Sequence, residues 1–445
     1  MHDDTTRLLA IAERLIETAR KAGADACDVA VVRSFGRSVS VRLGKVEETE
    51  SAESEDMSLR VFVGRRVATV SADIHADAGP LAERAVAMAK VSPEDAFAGL
   101  ADPLRLSREA LDLDQFDASD VATPTMVEQA LAMEAAARAV AGVSNSGGAS
   151  VSAGASGLVL ATSSGFAGHR MRSGFSRSVS VIAGQGVKMQ RDYDFDSRIH
   201  HIDLTAPEAI GRSAGERAVR RLDPGTVATG RYPVIFDPRI ARGLIGSIVS
   251  AINGSAIARG TSFLKDRLGA AILPASFTIM DDPLLPRRPG SRSFDGEGVR
   301  GEAMALVENG VLANWILDTA TAKELGLQTN GRASRSSGGV SPSATNVLVS
   351  PGDMTPAELV RETGRGLYID ELIGHGTNLV TGDYSRGASG YLIENGEITT
   401  PVSELTIAGN LRDMLLSLAA ANDLDERFSV VAPTLRIESM MVAGR

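Results

Sequence analysis

The apolar residues of this chain change period early, and that change limits what it can fold into. Leu8, Leu9, Ile11, Ala12, Leu15 and Ile16 recur at helical spacing behind the capping candidates Thr5 and Thr6, so residues near 6–22 read as an amphipathic helix. From Asp28 onward the period is two. Residues 28–32, 38–43, 58–63 and 66–72 alternate or run β-branched, with Gly36, Gly44 and Gly64 as punctuation, the pattern of an antiparallel meander. A second helix is expected near 78–90.

After a loop around 93–106, a helix near 124–140 leads into a Gly- and Ser-rich strand region over 147–185. Ser176-Arg-Ser-Val-Ser-Val-Ile182 alternates cleanly, which places it on a sheet with one solvated face. A helix near 206–222 stops at Asp223-Pro-Gly225, where Pro and Gly together mark a boundary. The second half opens with a strand at 232–236 and a helix near 239–252. It then turns to hairpins: Val307-Glu-Asn-Gly-Val311 and Ile393-Glu-Asn-Gly-Glu397 each set Asn-Gly between strand-like runs. Residues 331–346, rich in Ser, Gly and Arg, are expected to form a long flexible loop. The expected architecture is α+β with two domains: an N-terminal α/β meander domain over 1–225 and a C-terminal, mostly antiparallel β domain over 226–445.

A chain of 445 residues, 43% of them hydrophobic, can bury substantial cores. Its formal charge of −10 argues against nucleic acid as a partner, because such binding needs clustered Lys and Arg to release counterions from phosphates. Arg287, Arg288 and Arg292 read as a solvated loop. The one cysteine, Cys27, rules out a disulfide framework or a zinc ribbon and fits a reducing cytoplasm. The N-terminus carries acids where a signal peptide needs bases, and no run of about 20 apolar residues offers a membrane span. A cytoplasmic location is therefore expected.

Several short motifs have plain structural readings. Gly211-Arg-Ser213-Ala-Gly215 matches a nucleophile elbow but sits in a helical pattern, where small residues serve close helix packing. Gly296, Gly298 and Gly301 match a dinucleotide fingerprint without the strand-to-helix turn that it requires. His200 and His201 are adjacent, so on a strand they point to opposite faces and cannot share a metal ion. Cys27 reads as a buried, inert thiol.

The block Thr381-Gly-Asp-Tyr-Ser-Arg-Gly-Ala-Ser-Gly390 stands apart. Its glycines bracket Asp383, Tyr384, Ser385 and Arg386 in what reads as a polar turn between strands, and His375 lies just upstream in Gly374-His-Gly376. Asp383 and Arg386 could simply pair across the turn, with Tyr391 packed on a core. Equally, polar side chains beside an open strand suit capture of an extended peptide. This block resembles the TldD/PmbA family, on its PmbA (TldE) branch. So do Met189-Gln-Arg-Asp-Tyr193, Ala258-Arg-Gly-Thr-Ser-Phe-Leu-Lys265, Thr406-Ile-Ala-Gly-Asn-Leu411 and Pro433-Thr-Leu-Arg-Ile437, in family order and across nearly the whole chain.

The resemblance implies a subunit of a zinc peptidase complex that cleaves unfolded or flexible peptides. In the family's catalytic branch a helix supplies a His-Glu pair and a second His one turn on, and a cysteine near the C-terminus completes the site. The matching helix here reads Gly246-Ser-Ile-Val-Ser-Ala-Ile252, and the matching C-terminal segment Asp423-Leu-Asp-Glu-Arg-Phe-Ser-Val-Val431 holds no thiol. Zinc in this chain is therefore not expected; it would come with a TldD-like partner in a heterodimer. The substrate- or partner-binding candidates are His375, Asp383, Tyr384, Ser385 and Arg386, and no residue is assigned a catalytic role. Two other readings stay open: a stand-alone homodimeric hydrolase, and a peptide-binding protein without catalysis.

Overall fold

A computed structural model of the protein describes residues 2–109, 111–336 and 339–444. Helix α1 (His2–Lys21) buries Leu8, Ala12, Leu15, Ile16 and Ala19, the stripe that the spacing predicts. Strands β1 (Ala26–Arg42), β2 (Lys45–Val63) and β3 (Arg66–Asp73) form an antiparallel meander, and helix α2 (Ala78–Val91) returns over it. Helix α3 (Thr123–Arg138), strands β4 (Val143–Thr162), β5 (Ala167–Ala183) and β6 (Gln190–Arg198), and helix α4 (Pro207–Arg220) complete this half. The sheet has six strands in the order β3-β2-β1-β4-β5-β6.

Strand periodicity decides which face goes where. Val29 and Val31 of β1 pack under α1 and α2, while Val39 and Val41 pack under α3 and α4. All four are odd-numbered, so both helix pairs cover one face of the sheet, at its two ends. Even-numbered Asp28 and Ala30 point the other way, Ala30 joining Leu160, Phe166 and Phe294 in a small core shared with the second half of the chain. The strands are longer than the sequence punctuation implies: β1 runs unbroken through Gly36, and β2 includes the acidic run 45–55. Strand β3 reaches only as far as Asp56, so among the described residues Lys45–Ser54 has no strand on its outer side.

The second half begins with β7 (Gly230–Phe236) and helix α5 (Pro238–Ala251). Short strands β8 (Ile279–Asp281), β9 (Met304–Glu308), β10 (Val311–Leu312), β11 (Ala333–Ser336), β12 (Gly339–Pro342) and β13 (Val347–Val349) follow. Then come β14 (Gly366–Ile373), β15 (Asp383–Glu394), β16 (Glu397–Asn410), β17 (Leu418–Ala420), β18 (Val430–Val431) and β19 (Leu435–Ala443). Pairing runs β16-β15-β14-β7-β19, and β19 pairs again with β16, so these five strands close on themselves. Register shifts at Ala388/Gly390, Tyr391/Ile393 and Ile437/Met440 bend the strands enough to do so. The pairing is antiparallel except at β14 with β7 and β13 with β18.

Both Asn-Gly turns form as read, with positive φ at Asn309 and Gly310 and at Asn395 and Gly396. The expected loop over 331–346 is instead the β11–β12 hairpin leading to β13. Its anchor is Arg332, fully buried and ion-paired with the equally buried Asp281. Among the described residues no helix is long and apolar enough to cross a membrane.

The Gly211–Gly215 motif packs α4 against α3. A Cβ on Gly211 would lie 2.1 Å from the Met133 carbonyl oxygen, whereas one on the exposed Gly243 of α5 meets nothing within 4 Å. One substitution should therefore have opposite signs at the two sites. Gly211→Ala is expected to destabilise the fold by about 1–3 kcal/mol through overpacking, and Gly243→Ala to stabilise it by about 0.5–1 kcal/mol, both measured by urea unfolding.

Candidate functional site

The Thr381–Gly390 block is mostly strand. Its turn occupies Asn378–Gly382, and β15 starts at Asp383, hydrogen-bonded to β14 on one side and β16 on the other. A peptide therefore cannot add to β15, because it is not an open strand. Side chains alternate: Asp383 and Ser385 face solvent, while Tyr384 is buried in the main core. Burial pushes the Tyr384 phenol up to about 12. Asp383 does not pair with Arg386; its carboxylate accepts from Thr381 Oγ1 at 2.7 Å and Asn410 Nδ2 at 3.1 Å, and these bonds hold its pKa down. Exposed His375 lies on a loop that folds back on β15, where Gly376 accepts from the Ser385 amide at 2.7 Å. The structure thus puts Ser385 with Asp383 on the solvent face and half-buried Arg386 with Tyr384 on the other, while His375 stays exposed on the adjoining loop.

Helix α5 buries Ala241, Leu244, Ile245, Ile248 and Ala251 in the main core. Its N-cap, Asp237, accepts from the Arg239 amide and from the Tyr368 hydroxyl at 2.6 Å. The opposite face presents Arg239, Arg242, Gly243, Gly246, Ser247 and Ser250. Arg239 lies over Tyr193 at 4.1 Å and Arg242 over Phe428 at 3.4 Å. The Ser247 hydroxyl returns to the Gly243 carbonyl. Zinc takes imidazole, thiolate or carboxylate ligands, in threes or fours. The α5 face offers none, and among the described residues no group of three such side chains is placed to hold a metal ion. The residues present do not fit a zinc centre. Cys27 lies remote from α5 in the N-terminal core, its thiol pushed up to about 11 by burial.

Two buried charge networks hold the halves together, one of them at the first turn of α5, and the sequence reading missed both. Asp192 of β6 pairs with Arg239 of α5 at 2.8 Å and with Arg221 at 2.9 Å, and Arg221 reaches on to Asp370 and Glu371 of β14. Asp28 of β1 pairs with Arg60 of β2 at 2.6 Å and Arg335 of β11 at 2.6 Å, while Arg60 also faces Glu297. Burial alone would raise the Asp28 pKa, but Arg335 and Arg60 more than reverse that. Asp192 lies within the family-like Met189–Tyr193 segment. No spacing rule could have paired it with Arg221 and Arg239, 29 and 47 positions away.

These placements generate two expectations. Asp383→Ala should leave the melting temperature nearly unchanged, since its partners are exposed, whereas Tyr384→Ala should cost about 3–5 kcal/mol by opening a core cavity; thermal unfolding distinguishes them. Burial, against the pull of Arg221, pushes Asp370 up to about 6, two units above the ordinary Asp value. The folded state then holds a proton that the unfolded chain has released. Stability contributed by this group is present below about pH 4 and falls by about 3 kcal/mol as pH rises to about 6. Urea titrations across that window should lose this component in Asp370→Asn.

Sequence and structure comparisons fix the family. Three domain models of the PmbA/TldA metallopeptidases match in order: domain 1 at residues 27–89, the central domain at 116–222 and the C-terminal domain at 229–444. A Haemophilus influenzae metalloprotease PmbA homolog is 37% identical over 436 residues, covering 96% of this chain and 94% of that protein. A crystal structure from Bacteroides thetaiotaomicron, of a proposed modulator of DNA gyrase, superposes with a TM-score of 0.91 at 28% identity over 98% of both chains. TldE from Thermococcus kodakarensis shares the fold, with a TM-score of 0.86 at 23% identity over 97% of this chain and 99% of that one. With matches that run the length of both halves, the chain belongs to the PmbA/TldE family of the PmbA/TldA metallopeptidases.

Proposed function

We propose that this chain is the non-catalytic subunit of a two-chain metallopeptidase that cleaves unfolded or flexible peptides, with a TldD-like partner supplying the zinc. The observation that carries this reading is the outward face of α5. A metallopeptidase needs a metal-bound water, or failing that an activated nucleophile, and a general base at one place. Here that face has glycines and serines in the middle, and in its first turn Arg239 joins the two halves through Asp192 while Arg242 is laid over Phe428. The single thiol is buried and poorly ionised, so a cysteine nucleophile finds no support.

What the chain would contribute is a rigid wall for substrate and partner. The Asp192 and Asp28 networks fix the two halves against each other, and a cleft between them opens beside β5. Partner docking or peptide capture at His375, Asp383, Ser385 and Arg386 belongs to the same reading, with Tyr384 as the core residue that holds the strand in place.

The test is metal content and cleavage together. The purified chain alone should hold far less than one zinc per chain and leave an unfolded peptide intact. Adding a TldD-like partner should produce cleavage that a chelator abolishes. Fast, chelator-resistant cleavage by the isolated chain, as a homodimer or a monomer, would overturn this reading in favour of an independent hydrolase.

A further inference from the structure

Most buried arginines in this chain have a carboxylate. Arg60 has Asp28, Arg221 has Asp192 and Asp370, Arg239 has Asp192, and Arg332 has Asp281. Three arginines in the cleft between the halves, half-buried Arg170 and Arg292 and exposed Arg172, have no such partner among the described residues. Arg170 and Arg172 project from β5 at even-numbered positions, on the sheet face turned away from the helices, and Arg292 comes from the loop opposite. The cleft they line is about 830 Å3, within the usual range for ligand sites.

Among the described residues, none of the three forms an ion pair. Arg170 donates to the Phe294 carbonyl at 3.2 Å and lies over the Phe294 ring. Arg172 donates to the Pro289 carbonyl, and Arg292 to the Ser343 carbonyl at 3.0 Å, leaving its buried Nε without a partner. Each guanidinium is thus held in place by a neutral oxygen while most of its donors stay uncommitted. The nearest acids are already engaged: Asp281 pairs with Arg332, and Asp295 accepts three backbone amides. Asp114, across the cleft, pairs with Arg287 and His200. Asp112, also in the lining, accepts from the Asp114 amide at 2.9 Å. Burial, reinforced by Arg292 and only partly offset by Asp295, pushes Arg170 down to about 10. In a protein of net charge −10, this concentration of unmatched guanidinium is local.

We propose that this cleft is a carboxylate-binding site, in which Arg170, Arg172 and Arg292 hold an acidic side chain or the C-terminal carboxylate of a bound peptide. Guanidinium recognises carboxylate through paired N–H donors, which gives both energy and orientation. The site rests on the peptide-handling role proposed above and gives it a preference. Peptides with acidic residues or a free C-terminus near the seated segment are selected, and neutral or basic peptides are not.

Fluorescence anisotropy with the full chain tests this, using flexible eight-residue peptides that differ only in Glu against Gln and in a free against an amidated C-terminus. One of the two acidic forms should bind about tenfold or more tightly than its neutral counterpart, and the advantage should shrink as salt rises. Whichever pair discriminates identifies the source of the carboxylate. Arg172→Gln, whose side chain reaches solvent, should remove most of that advantage with the melting temperature unchanged. Arg172→Glu should reverse it in favour of a Lys peptide. Equal affinity for acidic and neutral peptides overturns the carboxylate site and leaves the peptide-binding role standing. No binding of any peptide overturns both, and an oligonucleotide that outcompetes the acidic peptide overturns the assignment to peptides.

Discussion

Asp192 has almost no exposed surface and stands between two guanidiniums that come from different parts of the chain. A carboxylate in that position costs several kcal/mol in lost hydration unless it is paired on both oxygens. Its partners therefore cannot wander. Arg221 closes the last helix of the first half and Arg239 opens the first helix of the second, so one side chain sets the angle between the halves. Asp28 does the same at the other side of the interface, gripping β2 and β11 at once. Everything that lines the cleft, from β5 to the loop carrying Arg292, takes its position from those two carboxylates.

Local chemistry was well written in the sequence. The two Asn-Gly turns, the Leu8–Ile16 stripe and the small residues of the Gly211–Gly215 helix all lead to the observed elements, because each depends on neighbours within a few positions, although the first helix starts at His2 and takes in Thr5 and Thr6 instead of being capped by them. Gly36 misled as a break, since β1 is held on both sides and tolerates a weak residue in mid-strand. The 331–346 segment misled for a different reason. Its composition is that of a loop, but Arg332 finds Asp281 fifty-one positions away, and that contact folds the segment into the core. Arg287, Arg288 and Arg292 read as a solvated loop, yet Arg287 binds Asp114, Arg288 binds Glu426 and Arg292 faces the cleft. Long-range charge pairing is what the pattern of one sequence cannot show.

The placement of α5 separates inherited architecture from chemistry. Its buried face is a complete apolar stripe with a satisfied N-cap, so the helix stands on packing alone and needs no metal to hold its position. An unpaired ligand there would have had to be compensated; glycine and serine need nothing. The fold can therefore keep this helix, and the surface it offers, on packing alone.

The long outer stretch of β2 has a consequence for how the protein behaves in a crowded solution. A ten-residue strand with one open side is a template on which another chain could extend a sheet. Glu47, Glu48, Glu50 and Glu53 occupy that stretch and are exposed, so an incoming copy of the same strand would set like charges against each other. These glutamates thus act as a colloidal safeguard on this open stretch of β2. That protection is electrostatic and weakens as salt screens the charges, so that crowding at high ionic strength is the condition under which this stretch is most open to another chain.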